Sequence, residues 1–203
     1  MPERRLTSHE RRHGRPWDAS YTDGTPPWDA GGPQPAVARL ELAGPLLDAG
    51  CGAGDNAIEF ARRGIEVVGV DVAPTAIRQA QEKAAGLPAT FMVADALQLG
   101  GLGRTFASVL DCGLFHTFDD EERLAYADGL AAVTAPGSVL HLLCVSEHLP
   151  GEEGPRRVTQ AEIRASFAAG WNVISIDTEY LFSVFGALPS WLARIERAPA
   201  RQN

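Results

Sequence analysis

No apolar run in this 203-residue chain approaches the roughly 20 residues that a membrane-spanning helix needs, so no membrane partner is expected. Residues 1–15 are polar and lack the apolar stretch of a secretory signal. Cysteine is scarce: three residues, an odd number, make no disulfide framework, and a reducing cytoplasmic compartment is the simpler expectation. Positive charge is in deficit too. A net charge of -8 argues against a nucleic-acid partner. No internal repeat is visible. His9 and His13 stand four apart but have no cysteine or carboxylate cluster in a metal-binding pattern nearby, so no metal is expected.

What is present fits one domain with a short appendage. Monomer is the default, with a dimer left open. Residues 1–15 carry Arg4, Arg5, Arg11, Arg12 and Arg15 against Glu3 and Glu10. Such an arm could touch phosphate or an acidic ligand, and a mobile solvated tail is the plainer expectation. Residues 14–35 are rich in Gly, Pro and Asp, yet they hold Trp17 and Trp28. Disordered tails rarely carry tryptophan, so this stretch should pack onto something. A short helix is expected over 37–42.

From residue 45 the pattern alternates. Strands are expected at 45–49, 65–70, 89–93, 106–110 and 138–145, and helices at 55–63, 74–85 and 120–133. A turn at Pro136-Gly137 should precede the fifth strand. Thr159 and Glu162 form a T-x-x-E box ahead of a helix to 167. Residues 171–181 and 191–196 read as two late strands with no helix-length connection, hence an antiparallel pair at one edge. The fold class is α/β, a doubly wound, Rossmann-like, mainly parallel sheet.

Three signals then fall on successive strand ends. Asp48-Ala49-Gly50-Cys51-Gly52-Ala53-Gly54 follows a strand and opens a helix, and its glycines let a ligand approach the backbone closely. The dinucleotide pattern G-x-G-x-x-G is not met, since position 55 is aspartate. Asp71 ends the second strand, where an acid can accept the ribose hydroxyls of an adenosine. Asp95, in Val93-Ala94-Asp95-Ala96, ends the third and could accept from an adenine amino group. Ligands of open α/β sheets bind at this carboxyl edge.

The segments LLDAGCGAGDNAIEFARRG, VVGVDVAPTAIRQA and VADA together resemble successive motifs of class I S-adenosylmethionine-dependent methyltransferases. The resemblance covers about residues 45–145. Ala135-Pro136-Gly137-Ser138 is similar to the family's turn before its fifth strand, with Ser138 in place of the usual second glycine. It implies seven strands with the last inserted antiparallel between the fifth and sixth, and S-adenosyl-L-methionine as cofactor. It further implies that Gly50 and Gly52 line the methionine and ribose, Asp71 binds ribose, and Asp95 and Ala96 flank adenine.

A narrower segment, Trp17-Asp18-x-x-Tyr21 and Gly24-x-x-Pro27-Trp28-Asp29-x-Gly31, resembles the thiopurine, halide and thiol methyltransferase group and bacterial relatives. Trp191-Leu192-Ala193-Arg194-Ile195 is similar to bacterial members. The narrower resemblance implies that residues 1–35 form a tail and a lid over the cofactor, with the methyltransferase domain at 36–203.

The candidate cofactor contacts are Trp17, Trp28, Asp48, Gly50, Cys51, Gly52, Asp71, Val72, Asp95, Ala96 and Cys112. The acceptor side is expected at the end of the fourth strand. His116 is the candidate base or substrate-orienting group. Asp111 is a second catalytic candidate, or simply ends the strand. Leu114, Phe115 and Phe118 could wall the pocket, and Arg156 or Arg157 could hold an anion. Arg123 is expected to be structural and Cys144 to lie in the core. The expected reaction is methyl transfer to a small molecule with an aromatic or heterocyclic O, N or S nucleophile. A non-catalytic S-adenosylmethionine-binding protein and a nicotinamide-dependent oxidoreductase stand as alternatives.

Overall fold

The computed structural model describes residues 6–199. Seven strands form one sheet: β1 (Leu46–Ala49), β2 (Val67–Asp71), β3 (Ala89–Val93), β4 (Phe106–Cys112), β5 (Thr134–Val145), β6 (Trp171–Ser183) and β7 (Gly186–Arg197). Their order is β3-β2-β1-β4-β5-β7-β6. β1 to β5 are parallel, while β7 runs antiparallel to both β5 and β6. The helices are α1 (Ser8–His13), α2 (Asp18–Thr22), α3 (Pro35–Ala38), α4 (Asp55–Arg62), α5 (Pro74–Lys83), α6 (Asp120–Ala132) and α7 (Gln160–Ser166).

Helices cover both faces, which is why β1 is buried along its whole length and reads as a continuous apolar run. On one face α4 buries Ala57, Ile58 and Phe60 beside Val37 of α3 and Ile77 of α5. On the other, Tyr126 and Leu130 of α6 pack with Ile163 of α7. The chain leaves β1 toward β2 on one side and reaches β4 on the other. This reversal opens a crevice at the carboxyl ends of β1 and β4.

Two expectations are corrected. Pro136-Gly137 does not form a turn ahead of the fifth strand; it lies inside β5, where the pairing with β4 shifts register. Ser138 Oγ accepts from Ala135 N at 3.2 Å and donates to Phe106 O at 2.8 Å, so the irregularity is bonded in place. The basic arm is also not a solvated tail over its described part. Thr7 and Glu10 form a capping box for α1, and Glu10 is buried. Ser8 N donates to Glu122 Oε1 at 2.6 Å, and Asp119 N donates to Ser8 Oγ at 3.1 Å, which ties α1 to the start of α6. Residues 1–5 lie outside the described residues.

Candidate active site

The crevice holds a cavity of about 840 Å³, within the range of about 300–1,000 Å³ usual for small-molecule sites. Its floor is the loop after β1. Gly50 N and Cys51 N both donate to Val70 O at 2.9 Å, bending the loop over the end of β2. Gly50 and Gly52 have φ of 71° and 52°, the left-handed region where a side chain is strained. A Cβ on Gly50 would lie 3.0 Å from Leu114, and one on Gly52 would lie 2.8 Å from Tyr21 Oη. The loop is therefore kept bare of side chains at positions 50 and 52.

Asp71 is held rather than loose. Its Oδ2 accepts from Gly52 N and its Oδ1 from Ala73 N, each at 2.9 Å. Asp95 caps the 3-10 segment Ala96–Leu102 by accepting from Leu97 N at 2.9 Å. Asp71, Val72, Asp95 and Ala96 line one end of the cavity. Backbone cradle, two acids and an apolar slot fit an adenosyl sulfonium cofactor.

The arm closes the cavity. Trp17 and Trp28 line it and meet edge to face at 5.4 Å, and Trp28 Nε1 donates to Tyr21 Oη at 3.1 Å. Asp18 accepts from Thr75 N at 2.7 Å and Thr75 Oγ1 at 3.1 Å, satisfying orphan groups at the start of α5. Gln34 donates to Phe182 O and accepts from Phe182 N, both at 2.8 Å. Val184 N adds a bond to Pro27 O at 3.1 Å. The arm is thus fixed to α5, α6 and the β6–β7 hairpin.

Of the sequence candidates, Asp48 and Asp111 do not line the cavity. Asp48 is 1% exposed beneath the glycine loop, and burial, with Asp111 and Asp71 nearby, pushes its carboxyl up to about 8. Asp111 is fully buried beside Tyr126, and burial raises it to about 7. Its Oδ1 accepts from Leu114 N at 3.0 Å and Phe115 N at 3.2 Å. That bonding shapes the turn after β4, so Asp111, one residue before the end of the strand, supports the loop from behind.

His116 does line the cavity. Val145 N donates to its Nδ1 at 3.3 Å, which places the proton of the neutral ring on Nε2. Burial, reinforced by Arg123 and His9, holds its pKa down to about 3. The imidazole is therefore neutral near pH 7 and carries its proton on Nε2. Leu114 and Phe118 line the same end. Phe115 does not; it stacks on Phe167 at 5.8 Å under the Arg123 guanidinium.

Both of the arginines considered for an anion are already engaged. Arg156 lines the cavity but donates to Phe118 O, Asp120 and Glu162. Arg157 donates to the carbonyls of Leu149, Pro150, Gly151, Glu152 and Pro155, pegging a loop whose Leu149, Pro150 and Glu153 line the cavity. Arg123 is buried and bonded to Glu162 at 2.9 Å. Cys51 and Cys112 both line the cavity as free thiols, each raised by burial.

Tyr21, Gln34 and His9 are the site residues missed from sequence. Only Tyr21 carried a signal, its place in Trp17-Asp18-x-x-Tyr21. His9 lines the cavity and stacks on Trp17 at 4.2 Å.

Comparison with known proteins agrees with this geometry. The family model described as "Methyltransferase domain" matches residues 46–137. A 2-heptyl-1-hydroxyquinolin-4(1H)-one methyltransferase of Mycobacteroides abscessus is 36% identical over 167 residues, covering 78% of this chain and 74% of the relative. A probable thiol methyltransferase 2 of Arabidopsis thaliana is 28% identical over 183 residues, covering 85% of this chain and 79% of the relative. A solved structure from work on the conversion of a disulfide bond into a thioacetal group during echinomycin biosynthesis is 36% identical, with a TM-score of 0.80. It covers 90% of this chain and 91% of that one.

Proposed function

From a chain that belongs to the class I S-adenosylmethionine-dependent methyltransferases, we propose an enzyme that methylates a small-molecule acceptor at an ionisable aromatic or heterocyclic O, N or S atom. S-adenosylmethionine is its cofactor, and when bound it supplies an electrophilic methyl group. The chain's own residues supply placement. Asp71 and the glycine loop hold the ribose and methionine portions, and Val72, Asp95 and Ala96 flank the adenine. Trp17 and Trp28 exclude water from above, and Leu114 and Phe118 offer apolar walls to a flat acceptor. Positioning of this kind can supply several kcal/mol, up to about 7–11 in ideal cases.

The observation that carries the acceptor reading is the state of His116. A neutral ring whose Nδ1 is already an acceptor cannot take the acceptor's proton near pH 7. It can donate from Nε2 to the nucleophilic atom and hold it in line. The acceptor then arrives already ionised, its proton given to solvent. The relatives' names fit such acceptors: an N-hydroxyquinolinone and a thiol.

The test uses labelled methyl donor with thiols, phenols and N-hydroxy heterocycles of graded pKa. The pH profile of kcat/KM should rise to an inflection that moves with each acceptor's own pKa. An inflection fixed across the panel would reveal a protein base and overturn the reading. His116→Ala should lower kcat/KM about 10–100-fold, the worth of one hydrogen bond to a charged atom. His116→Gln, which keeps a donor, should retain more.

A further inference from the structure

The basic arm is left unexplained by methyl transfer itself. His9, Arg12 and His13 are spaced i, i+3, i+4 on α1, hence on one face, and all three line the cavity. This face belongs to the acceptor end. α1 is docked on Thr117 and Glu122 through Ser8, beside the turn Phe115–Thr117 that carries His116.

The arm's other described arginines are neutralised. Arg11 pairs with Asp119 at 3.3 Å and Glu122 at 3.5 Å, and Arg15 pairs with Asp23. Arg12 makes no hydrogen bond or ion pair with any described residue. A bare guanidinium on the wall of a catalytic cavity runs against the charge of a chain that is -8 overall. Arg12 and His13 also act on His9 in the same direction, both opposing its protonation after burial has done so. Arg12 is therefore a permanent positive charge on the cavity wall, set beside two imidazoles. Glu153, on the loop held by Arg157, is the carboxylate among the described residues that lines the cavity from the stretch after β5.

Resting on the acceptor reading above, we propose that the α1 face of His9, Arg12 and His13 is an anion-recognition subsite. It selects acceptors that carry a negative group, such as a carboxylate, apart from the atom that is methylated. Arg12 supplies the charge and a planar pair of donors that suits a carboxylate. His9, neutral and stacked on Trp17, supplies a flat wall.

The test titrates 4-mercaptobenzoate and thiophenol into the full chain saturated with S-adenosylhomocysteine. The carboxylate probe should bind more tightly, and its affinity should fall with salt. Arg12→Ala should weaken it roughly three- to tenfold while leaving thiophenol nearly unchanged, since an exposed charge contact is modest. Arg12→Lys should recover part of the loss, and Glu153→Gln should strengthen the charged probe. Equal affinities in the native protein, no binding of the charged probe, or an equal effect of Arg12→Ala on both probes would overturn the subsite. The acceptor reading fails separately, by absence of methyl transfer to every acceptor while the binding preference stays measurable.

Discussion

Gly52 answers to two neighbours at once. Its left-handed backbone costs a non-glycine residue about 1–2 kcal/mol, and a Cβ would also meet Tyr21 Oη at 2.8 Å. The first constraint is legible in the G-x-G-x-G pattern; the second depends on an aromatic residue 31 positions away in sequence order and needs the folded arm. Asp48 shows the same split. Its place before the glycine turn is read directly, but its burial is not. With its folded pKa raised to about 8, it binds a proton that the unfolded chain, near 4, releases. Stability from this residue is therefore present below about pH 4 and declines as pH rises toward 8. Asp48→Asn, shaped like the neutral acid, should flatten that decline. Thermal denaturation of both proteins at pH 5 and pH 8 checks it: the variant should gain on the native protein at the higher pH. A constant difference would show that Asp48 does not titrate in this range.

At the scale of elements, one short capping pattern recurs three times. Thr159-x-x-Glu162 reads as a capping box, and α7 begins there with both reciprocal bonds present. Thr7-x-x-Glu10 and Asp119-x-x-Glu122 cap α1 and α6 in the same way. The arginines around Thr7 suggested solvation instead, because charge counts ignore which partners the fold brings. Here those partners are Asp119 and Glu122 at the start of α6. The loop pegged by Arg157 is a further case, as its bonds run to carbonyls that no side-chain pattern marks. Arg157→Ala should raise KM for the acceptor severalfold, since that loop walls the cavity, while S-adenosylhomocysteine affinity by calorimetry stays within about twofold. Equal losses in both would mean that the loop supports the whole site.

Across the whole molecule, two faces and one arm share a single cavity. Asp48 and Asp111 stand behind the loops from β1 and β4, whereas Trp17, Tyr21 and Trp28 close over the front. Because the arm contacts α5, α6 and the β6–β7 hairpin, binding under it should stabilise the entire chain. S-adenosylhomocysteine at a hundredfold excess over its Kd should add about 2.7 kcal/mol of stability, with a change in the fluorescence of Trp17 and Trp28. Trp28→Ala should weaken that affinity and reduce turnover. Unaltered binding and kinetics would leave the two tryptophans as packing alone.

The amino-acid sequence by itself determined the alternating elements, the glycine loop and the two acids at successive strand ends. Those features are local: each depends on period, turn chemistry or a neighbour a few positions away. Tertiary structure alone decided that Asp111 lies behind the cavity, that the His116 ring is buried with its Nδ1 bonded to the backbone, and that the basic arm forms a wall. Each of these turns on burial or on a hydrogen bond between distant segments, such as Val145 to His116 across 29 positions. Desolvation acts through space, and the linear order of residues does not carry it.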